Sequence, residues 1–230
     1  MKVRLLIPAA GMGTRLGSAG PKALVDLCGE PMLARTLARF FFVSPAPPVI
    51  VTAPPGHVGE FEAALSGAAS KLECMVTPGG LERQESVAGA LALLDNDDDL
   101  VVIHDAARPF VPPESIRAGI AAAERHGAAT VAVPAVDTVL MGDSDAFLVG
   151  TPDRSSLWCC QTPQIFRVGV IREAHRRAAE EGRRGTDDAS LVREAGMPVK
   201  LVMGAALNFK ITTPFDLEVA RMVVREGLAC

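Results

Sequence analysis

Val3-Arg4-Leu5-Leu6-Ile7 is a short run that is apolar except for Arg4, and Pro8-Ala9-Ala10-Gly11-Met12-Gly13-Thr14-Arg15-Leu16-Gly17 follows it directly. The apolar run predicts a first strand. The glycines after it let the backbone turn tightly and present several NH groups to an anion. Because Arg15 lies in this loop and Lys22 follows closely, the segment predicts a binding site for a triphosphate.

This glycine loop differs from two better-known phosphate loops. A dinucleotide fingerprint has the pattern G-x-G-x-x-G, but here the third glycine, Gly17, comes one residue late. The acidic residue expected about twenty positions further along, at the end of a second strand, is also missing. A P-loop requires G-x-x-x-x-G-K-[ST], whereas Gly20 is followed by Pro21-Lys22-Ala23. The loop fits neither class.

Beyond this loop, short apolar runs alternate with helical patterns. Strands are predicted at residues 3–7, 49–51, 72–76, 100–104, 129–133 and 199–202, and helices at residues 31–43, 58–65, 83–94 and 113–126. The alternation predicts an α/β fold, with a mostly parallel, twisted sheet flanked by helices. Such sheets bind ligands at the carboxyl ends of their strands, so the loops at residues 8–22 and 105–109 are expected to form the site.

Residues 136–156 interrupt this alternation. Short apolar runs there surround Met141-Gly142-Asp143-Ser144-Asp145, which is a strong turn signal. The pattern predicts a protruding β-hairpin arm on a single domain that spans residues 1–230. The arm is expected to serve dimerisation by packing on a second subunit, with a surface hairpin folded back on its own domain as the alternative.

The composition argues against several classes of protein. Hydrophobic residues make up 49% of the 230 residues, enough for a large core, and the formal net charge of −4 gives no global attraction to nucleic acid or to an anionic membrane. The sequence predicts neither a secretory signal nor a membrane span. The five cysteines are odd in number and spaced for neither a disulfide framework nor a zinc site, which favours a reduced, cytoplasmic location.

Further motifs follow the glycine loop and Pro21-Lys22 in order. They are Gly79-Gly80-x-Glu82-Arg83-x-x-Ser86-Val87, His104-Asp105-Ala106-Ala107-Arg108-Pro109, Asp137-Thr138, Asp153-Arg154, Thr162-Pro163-Gln164, Thr186-Asp187-Asp188-Ala189-Ser190 and Asn208-Phe209-Lys210-Ile211-Thr212. With these motifs the sequence resembles, over nearly its whole length, the 2-C-methyl-D-erythritol 4-phosphate cytidylyltransferases of the non-mevalonate isoprenoid pathway. One departure is Leu207, a position where many family members have an acidic residue.

The resemblance implies a Rossmann-like domain, a homodimer built through the arm, and a need for Mg²⁺ or another divalent cation. The implied reaction transfers CMP from CTP to a small polyol phosphate, 2-C-methyl-D-erythritol 4-phosphate, and gives 4-diphosphocytidyl-2-C-methyl-D-erythritol and pyrophosphate. A ribitol 5-phosphate cytidylyltransferase and a non-catalytic nucleotide-binding module are the alternatives. An NAD(P) oxidoreductase is disfavoured by the displaced third glycine.

Residue roles can be predicted from the motifs. The attacking phosphate is already an anion, so Arg15 and Lys22 are predicted to catalyse by stabilising charge on the α-phosphate. Asp105 is the predicted metal ligand, with capping of the next turn as the alternative, and His104 is interpreted as a packed histidine. Asp187 and Asp188 are expected to cap a helix. By resemblance, the nucleotide is bound by Pro8, Ala9, Ala10, Gly11, Gly13, Gly80, Arg83, Ser86 and Ala106, and the acceptor by Arg108, Thr162, Thr186 and Lys210, with Thr138 and Arg154 from the arm of a second subunit.

Overall fold

The described part of the chain forms one central sheet and a separate hairpin. The computed structural model describes residues 1–17, 20–43, 46–66 and 72–228, so predictions at residues 18–19 and at Cys230 lie outside the described residues. The strands are β1 (Val3–Pro8), β2 (Val49–Ala53), β3 (Cys74–Pro78), β4 (Leu100–Ile103), β5 (Ala128–Pro134), β6 (Met141–Gly142), β7 (Leu148–Gly150), β8 (Trp158–Arg167) and β9 (Lys200–Met203). The helices are α1 (Met32–Ala38), α2 (Val58–Leu65), α3 (Arg83–Leu91), α4 (Pro113–His126), α5 (Val168–Glu180), α6 (Asp188–Glu194) and α7 (Pro214–Arg225), with 3-10 turns at Thr14–Leu16, Lys22–Leu24 and Arg154–Ser156.

The sheet is mostly parallel. Its strand order is β3-β2-β1-β4-β8-β5-β9, and every neighbouring pair is parallel except the two that involve β8. Strand β8 runs antiparallel to both β4 and β5. This topology confirms the predicted Rossmann-like α/β fold.

Two apolar cores lie on the two faces of the sheet. Leu5 and Ile7 belong to one core and Leu6 to the other, because successive side chains of a strand point to opposite faces. Helices α1, α2 and α4 cover the first core, and α3, α5 and α6 cover the second. Burial on both faces explains the apolar run Leu5-Leu6-Ile7. Among the described residues, no helix has the length and apolar character that a bilayer crossing requires.

Strand β8 is the strand of the central sheet that the sequence patterns do not predict. Its sequence contains Pro163, Gln161 and Gln164 where a buried strand usually has an apolar run. Both glutamines are buried, but their amides are hydrogen-bonded. The side-chain oxygen of Gln164 accepts from the backbone NH of Asp188 at 3.1 Å, and the amide of Gln161 donates to Ala205 O at 2.9 Å. These bonds make polar burial tolerable at the centre of the sheet.

Several element boundaries differ from the predicted ones by a few residues. The largest difference is in α1, predicted over residues 31–43, which ends at Ala38. Phe40 and Phe41 then donate their backbone NH groups three residues back, to Leu37 and Ala38, in tight turns. These turns place the Phe40 side chain in the core, where it is only 1% exposed, so core packing ends the helix early.

Residues 136–156 leave the sheet as a hairpin arm. Strands β6 and β7 pair within it, and Asp143 closes the turn, because its Oδ1 accepts from the backbone NH groups of Asp145 at 3.0 Å and Phe147 at 2.9 Å. The predicted hairpin is therefore confirmed. Most of the arm is exposed in the single protomer, and its packing on a second subunit stays a prediction.

Candidate active site

A cleft of about 410 Å³ opens at the edge of the sheet where β1, β3 and β4 end. This edge carries the carboxyl ends of parallel strands, where α/β sheets bind ligands. The cleft brings together every residue predicted to be catalytic, nucleotide-binding or metal-binding, although those roles stay predictions. Its lining residues are Pro8, Ala9, Ala10, Gly11, Met12, Gly13, Thr14, Arg15, Lys22, Ala23, Gly80, Leu81, Glu82, Arg83, Ser86, Asp105, Ala106, Ala107, Lys210 and Thr212.

One wall of the cleft is the glycine loop with Lys22 packed against it. The backbone NH of Lys22 donates to Gly11 O at 3.2 Å. Gly13 has a φ of 70°, in the left-handed region that favours glycine. A Cβ on Gly13 would lie 2.7 Å from the Cβ of Lys22, so a larger residue would force the two segments apart. Gly13 thus lets Lys22 share one wall with Arg15, which lies in the following 3-10 turn.

A second wall is the first turn of α3. Glu82 is the N-cap of this helix, and it forms a reciprocal capping box with Glu85. The hydroxyl of buried Ser86 accepts from the backbone NH of Gly80 at 3.0 Å. These contacts fix the turn that holds Gly80. Because Gly80 has no side chain, a base could approach the backbone of this turn, as the predicted base pocket requires.

Asp105 is the centre of a charged cluster in the cleft. Its Oδ2 lies 2.8 Å from Lys210 Nζ and 3.7 Å from Arg108 Nε, and its Oδ1 lies 3.4 Å from Arg83 Nε. Burial by itself raises the pKa of Asp105, but the attraction of Lys210, Arg83 and Arg108 outweighs it and holds the pKa well below its ordinary value. Asp105 is therefore ionised at neutral pH.

The pKa of Lys22 is also lowered, which for a lysine favours the neutral form. Burial of its side chain, followed by repulsion from Lys210, lowers the pKa of Lys22 to about 8, although Asp105 opposes the shift. Arg15 adds further repulsion. An anion in the cleft would relieve this repulsion, since an opposite charge favours the protonated ammonium. The cluster of cations is thus suited to a phosphate-bearing ligand.

Arg83 is anchored by a buried carboxylate that sequence reasoning did not assign to the site. Its Nη1 atom lies 2.7 Å from Oδ2 of Asp188, and Oδ1 of Asp188 lies 3.1 Å from Nε2 of His175. Asp188 is fully buried. Burial lowers the pKa of Arg83, but Asp188 and then Asp105 more than offset this and raise it. Arg83 therefore joins Asp105 in the cleft to Asp188 behind it.

This arrangement corrects half of the capping prediction for α6. Asp187 is the N-cap, and its Oδ1 accepts from the backbone NH of Ser190 at 2.8 Å, as predicted. Asp188 does not cap the helix, because its carboxylate points to Arg83 and His175. A helix needs only one N-cap residue. The second carboxylate of the pair, Asp188, was therefore the sequence signal for an interaction other than capping.

Behind Asp105, polar groups hold its backbone in place. The Thr162 hydroxyl accepts from the backbone NH of Asp105 at 3.1 Å and lies 3.0 Å from Nδ1 of His104. His104 is fully buried, which confirms the interpretation of a packed histidine, and burial lowers its pKa to about 4. Arg108 donates from Nη1 to Asn208 O at 2.7 Å. Both Thr162 and Arg108 therefore support the cleft from outside its lining.

The remaining predicted acceptor residues are not brought into this protomer's cleft, apart from Lys210. Thr186 is exposed on the loop between α5 and α6. Thr138 and Arg154 are exposed on the arm, where Nη1 of Arg154 donates to Val136 O at 2.8 Å. One protomer thus brings the residues predicted to bind the nucleotide together in one cleft, and it leaves most of those predicted to bind the acceptor outside that cleft.

Comparison with known proteins identifies the family. The sequence model for 2-C-methyl-D-erythritol 4-phosphate cytidylyltransferase matches residues 3–226, nearly the whole chain. The chain belongs to this family. It is accordingly a nucleotidyltransferase, and the sequence resemblance is confirmed.

Relatives and solved structures of the family agree along almost their full lengths. The cytidylyltransferase of Pelotomaculum thermopropionicum is 41% identical over 225 residues, which cover 97% of this chain and 94% of the relative. The crystal structure of the Thermus thermophilus enzyme is 37% identical, with a TM-score of 0.79, and the match covers 98% of this chain and 100% of that one. The 4-diphosphocytidyl-2C-methyl-D-erythritol synthase of Anaerococcus prevotii is 26% identical, with a TM-score of 0.85 and coverage of 97% and 96%.

Proposed function

We propose that this chain transfers CMP from CTP to 2-C-methyl-D-erythritol 4-phosphate, giving 4-diphosphocytidyl-2-C-methyl-D-erythritol and pyrophosphate. The observation that carries the proposal is the cleft in which the glycine loop, Lys22 and the Asp105–Lys210 ion pair meet. Family membership supplies the two substrates.

The free thiols of Cys28, Cys74, Cys159 and Cys160 support a reduced cytoplasmic location.

On the nucleotide side, backbone NH groups from Gly11 to Arg15 hold the triphosphate. Pro8, Ala9, Ala10, Gly80, Arg83 and Ser86 surround the base, and Ala106 contacts the ribose. Cytosine is selected because a larger base does not fit between small residues, and a base with other polar edges leaves buried groups unpaired. Arg83 is suited to this task because Asp188 fixes its guanidinium in place.

The chemical step is an in-line attack by a phosphate oxygen of the acceptor on the α-phosphorus of CTP. The new P–O bond forms as the bond to the leaving pyrophosphate breaks, and no proton has to be removed from the nucleophile. Negative charge crowds around the α-phosphorus, so catalysis rests on positioning and electrostatic stabilisation. Arg15 contacts the α-phosphate with its planar guanidinium, and Lys22 supplies a compact charge.

Asp105 is the residue we assign to a divalent cation. An ionised carboxylate in the cleft fits Mg²⁺, which proteins usually bind through one or two carboxylates together with substrate phosphates. When bound there, the cation would offset the charge of the triphosphate. Because Lys210 now pairs with the same carboxylate at 2.8 Å, metal binding would free Lys210 to hold an acceptor phosphate.

A homodimer would complete the acceptor side. Thr138 and Arg154 lie on the arm and outside the cleft of their own protomer, so we assign them to the partner's cleft, where Thr162, Thr186, Arg108 and Lys210 form or support the rest of the acceptor site. Large apolar side chains on the arm are exposed in the single protomer, and patches of this kind commonly mark interfaces. They include Val136, Leu140, Phe147, Leu148 and Val149.

The direct test of the proposed function is a pyrophosphate-release assay with CTP, Mg²⁺ and each candidate acceptor. We expect release with 2-C-methyl-D-erythritol 4-phosphate, and far slower release with ribitol 5-phosphate or when ATP, GTP or UTP replaces CTP. CTP binding without pyrophosphate release would contradict the proposal in favour of a non-catalytic module. Faster turnover of ribitol 5-phosphate would reassign the acceptor.

The lowered pKa of Lys22 predicts a pH dependence. Lys22 acts as an ammonium, so kcat/KM for CTP should be highest below pH 8 and fall by about tenfold per pH unit as the pH rises above the Lys22 pKa of about 8. Lys22→Arg should move this fall to higher pH, because a guanidinium stays protonated there. A pH–rate profile at CTP and acceptor concentrations well below their KM values, which reports the free enzyme, measures both. The same descending limb in wild type and Lys22→Arg would remove Lys22 as its cause.

The shared site predicts recovery of activity in mixed dimers. When both subunits of a dimer carry Arg154→Ala, each cleft lacks the arginine that the other subunit would supply. Lys22→Ala instead inactivates the cleft of the subunit that carries it. A heterodimer of the two variants has one complete cleft, so co-refolded mixtures should regain about a quarter of wild-type activity, if subunits pair at random. Each variant refolded alone is the control, and heterodimers with no recovery would place Arg154 in its own cleft.

A further inference from the structure

The side chain of Gln84 bridges α3 and the loop before α6. Its Nε2 donates to Arg183 O at 3.2 Å, and its Oε1 accepts from the backbone NH of Gly185 at 3.0 Å. Both halves of the amide are therefore used, one on each side of Arg184. Gln84 is half-buried and does not line the cleft, so a ligand there would not contact it directly.

Two neighbouring contacts reinforce the same bridge. The carboxylate of Glu82 pairs with Arg184, and Arg83 pairs with the buried Asp188. Three consecutive residues at the start of α3 thus hold the loop at residues 183–188. Of these contacts, the exposed pair Glu82–Arg184 contributes least, because solvent screens it.

The loop also packs closely against α6 at this point. A Cβ on Gly185 would lie 2.6 Å from Cδ2 of Leu191 and 3.1 Å from Asp187 O, so the backbone there is in close contact with α6. Thr186 follows Gly185 directly. Its position is therefore set by the Gln84 contact on one side and by the Asp187 cap on the other.

We propose that Gln84 is a positioning residue for the acceptor, which holds Thr186 where it can contact the acceptor phosphate. The inference rests on the proposed function, because that function assigns Thr186 to the acceptor. Its consequence is a split between the substrates: Gln84 governs binding of the acceptor, while Arg83 and Ser86 on the same helix face the nucleotide.

The test is steady-state kinetics of Gln84→Met, which preserves side-chain length and helix propensity but removes both hydrogen bonds. We expect KM for 2-C-methyl-D-erythritol 4-phosphate to rise about tenfold, with KM for CTP and kcat within about twofold of wild type. Gln84→Glu keeps an oxygen that can accept from the backbone NH of Gly185, so its KM for the acceptor substrate should lie between those of wild type and Gln84→Met. It serves in place of Gln84→Met if that variant does not fold. Arg172→Met is the matched control, because Arg172 binds Leu91 O at the other end of α3 and should leave both KM values unchanged.

A double-mutant cycle separates positioning from a general loss of structure. If Gln84 acts through Thr186, Gln84→Met should change the acceptor KM by less than about twofold when Thr186→Val is already present. Effects that multiply, or an equal rise in KM for CTP, would overturn the inference. Failure of the proposed function is distinct, because wild-type enzyme would then release no pyrophosphate with this acceptor.

Discussion

Lys22→Ala is expected to lower kcat by about a hundredfold to a thousandfold, while KM for CTP changes by less than about threefold. The reason is that Lys22 is half-buried beside Lys210 and Arg15, which disfavour its positive charge in the empty cleft. A phosphate next to Lys22 stabilises that charge, and the stabilisation grows with the negative charge on the phosphate. Charge on the α-phosphate is largest in the transition state. An interaction realised mainly there appears in kcat rather than in KM.

Arg15→Ala should behave in the same way, because Arg15 lies in the 3-10 turn that continues the glycine loop. Lys200→Ala is the control, since Lys200 is an exposed cation on the edge strand β9 and outside the cleft. Single-turnover measurements at saturating CTP would isolate the chemical step. Turnover equal to wild type in either cleft variant would remove that residue from transition-state stabilisation.

Asp105→Asn is expected to lower kcat by about a hundredfold or more and to raise the Mg²⁺ concentration needed for half-maximal activity. The substitution keeps the size of the side chain but removes the charge that Lys210, Arg83 and Arg108 now share. These cations would then compete with the metal for the triphosphate. A Mg²⁺ titration of initial rates measures the effect.

Asp99→Asn is the matched control for this experiment. Asp99 is also buried, precedes β4 at the opposite edge of the sheet, and pairs with Arg4 at 3.3 Å. Its loss should lower thermal stability without changing the Mg²⁺ requirement. If Asp105→Asn lowers activity but leaves the Mg²⁺ titration unchanged, Asp105 organises the cations and does not bind the metal.

The sequence was sufficient to predict the fold and to select residues that share one cleft, because both depend on local patterns. The mostly apolar run at residues 3–7 predicts a first strand, and the glycines after it predict a tight anion-binding turn. The helix at residues 113–126 was predicted with its observed limits, since proline opens it and Gly127 closes it in the left-handed conformation. Each of these signals lies within a few residues of the element it specifies.

What the sequence could not predict depends on contacts between distant segments. Strand β8 has no apolar signature, because Gln161 and Gln164 are buried through hydrogen bonds to residues that lie far away in the sequence. The pairing of Arg83 with Asp188 and the bridge made by Gln84 join segments about a hundred residues apart, a separation that no local pattern reports. These contacts connect the start of α3, which lines the cleft, with the loop that carries Thr186.

The measurement that tests the account most directly is a crystal structure of this protein with CTP and Mg²⁺. We expect the triphosphate to lie against the backbone NH groups of residues 11–15, with Lys22 and Arg15 at the α-phosphate and the base against Ala10, Gly80 and Ser86. A nucleotide bound elsewhere, away from the glycine loop, would contradict it.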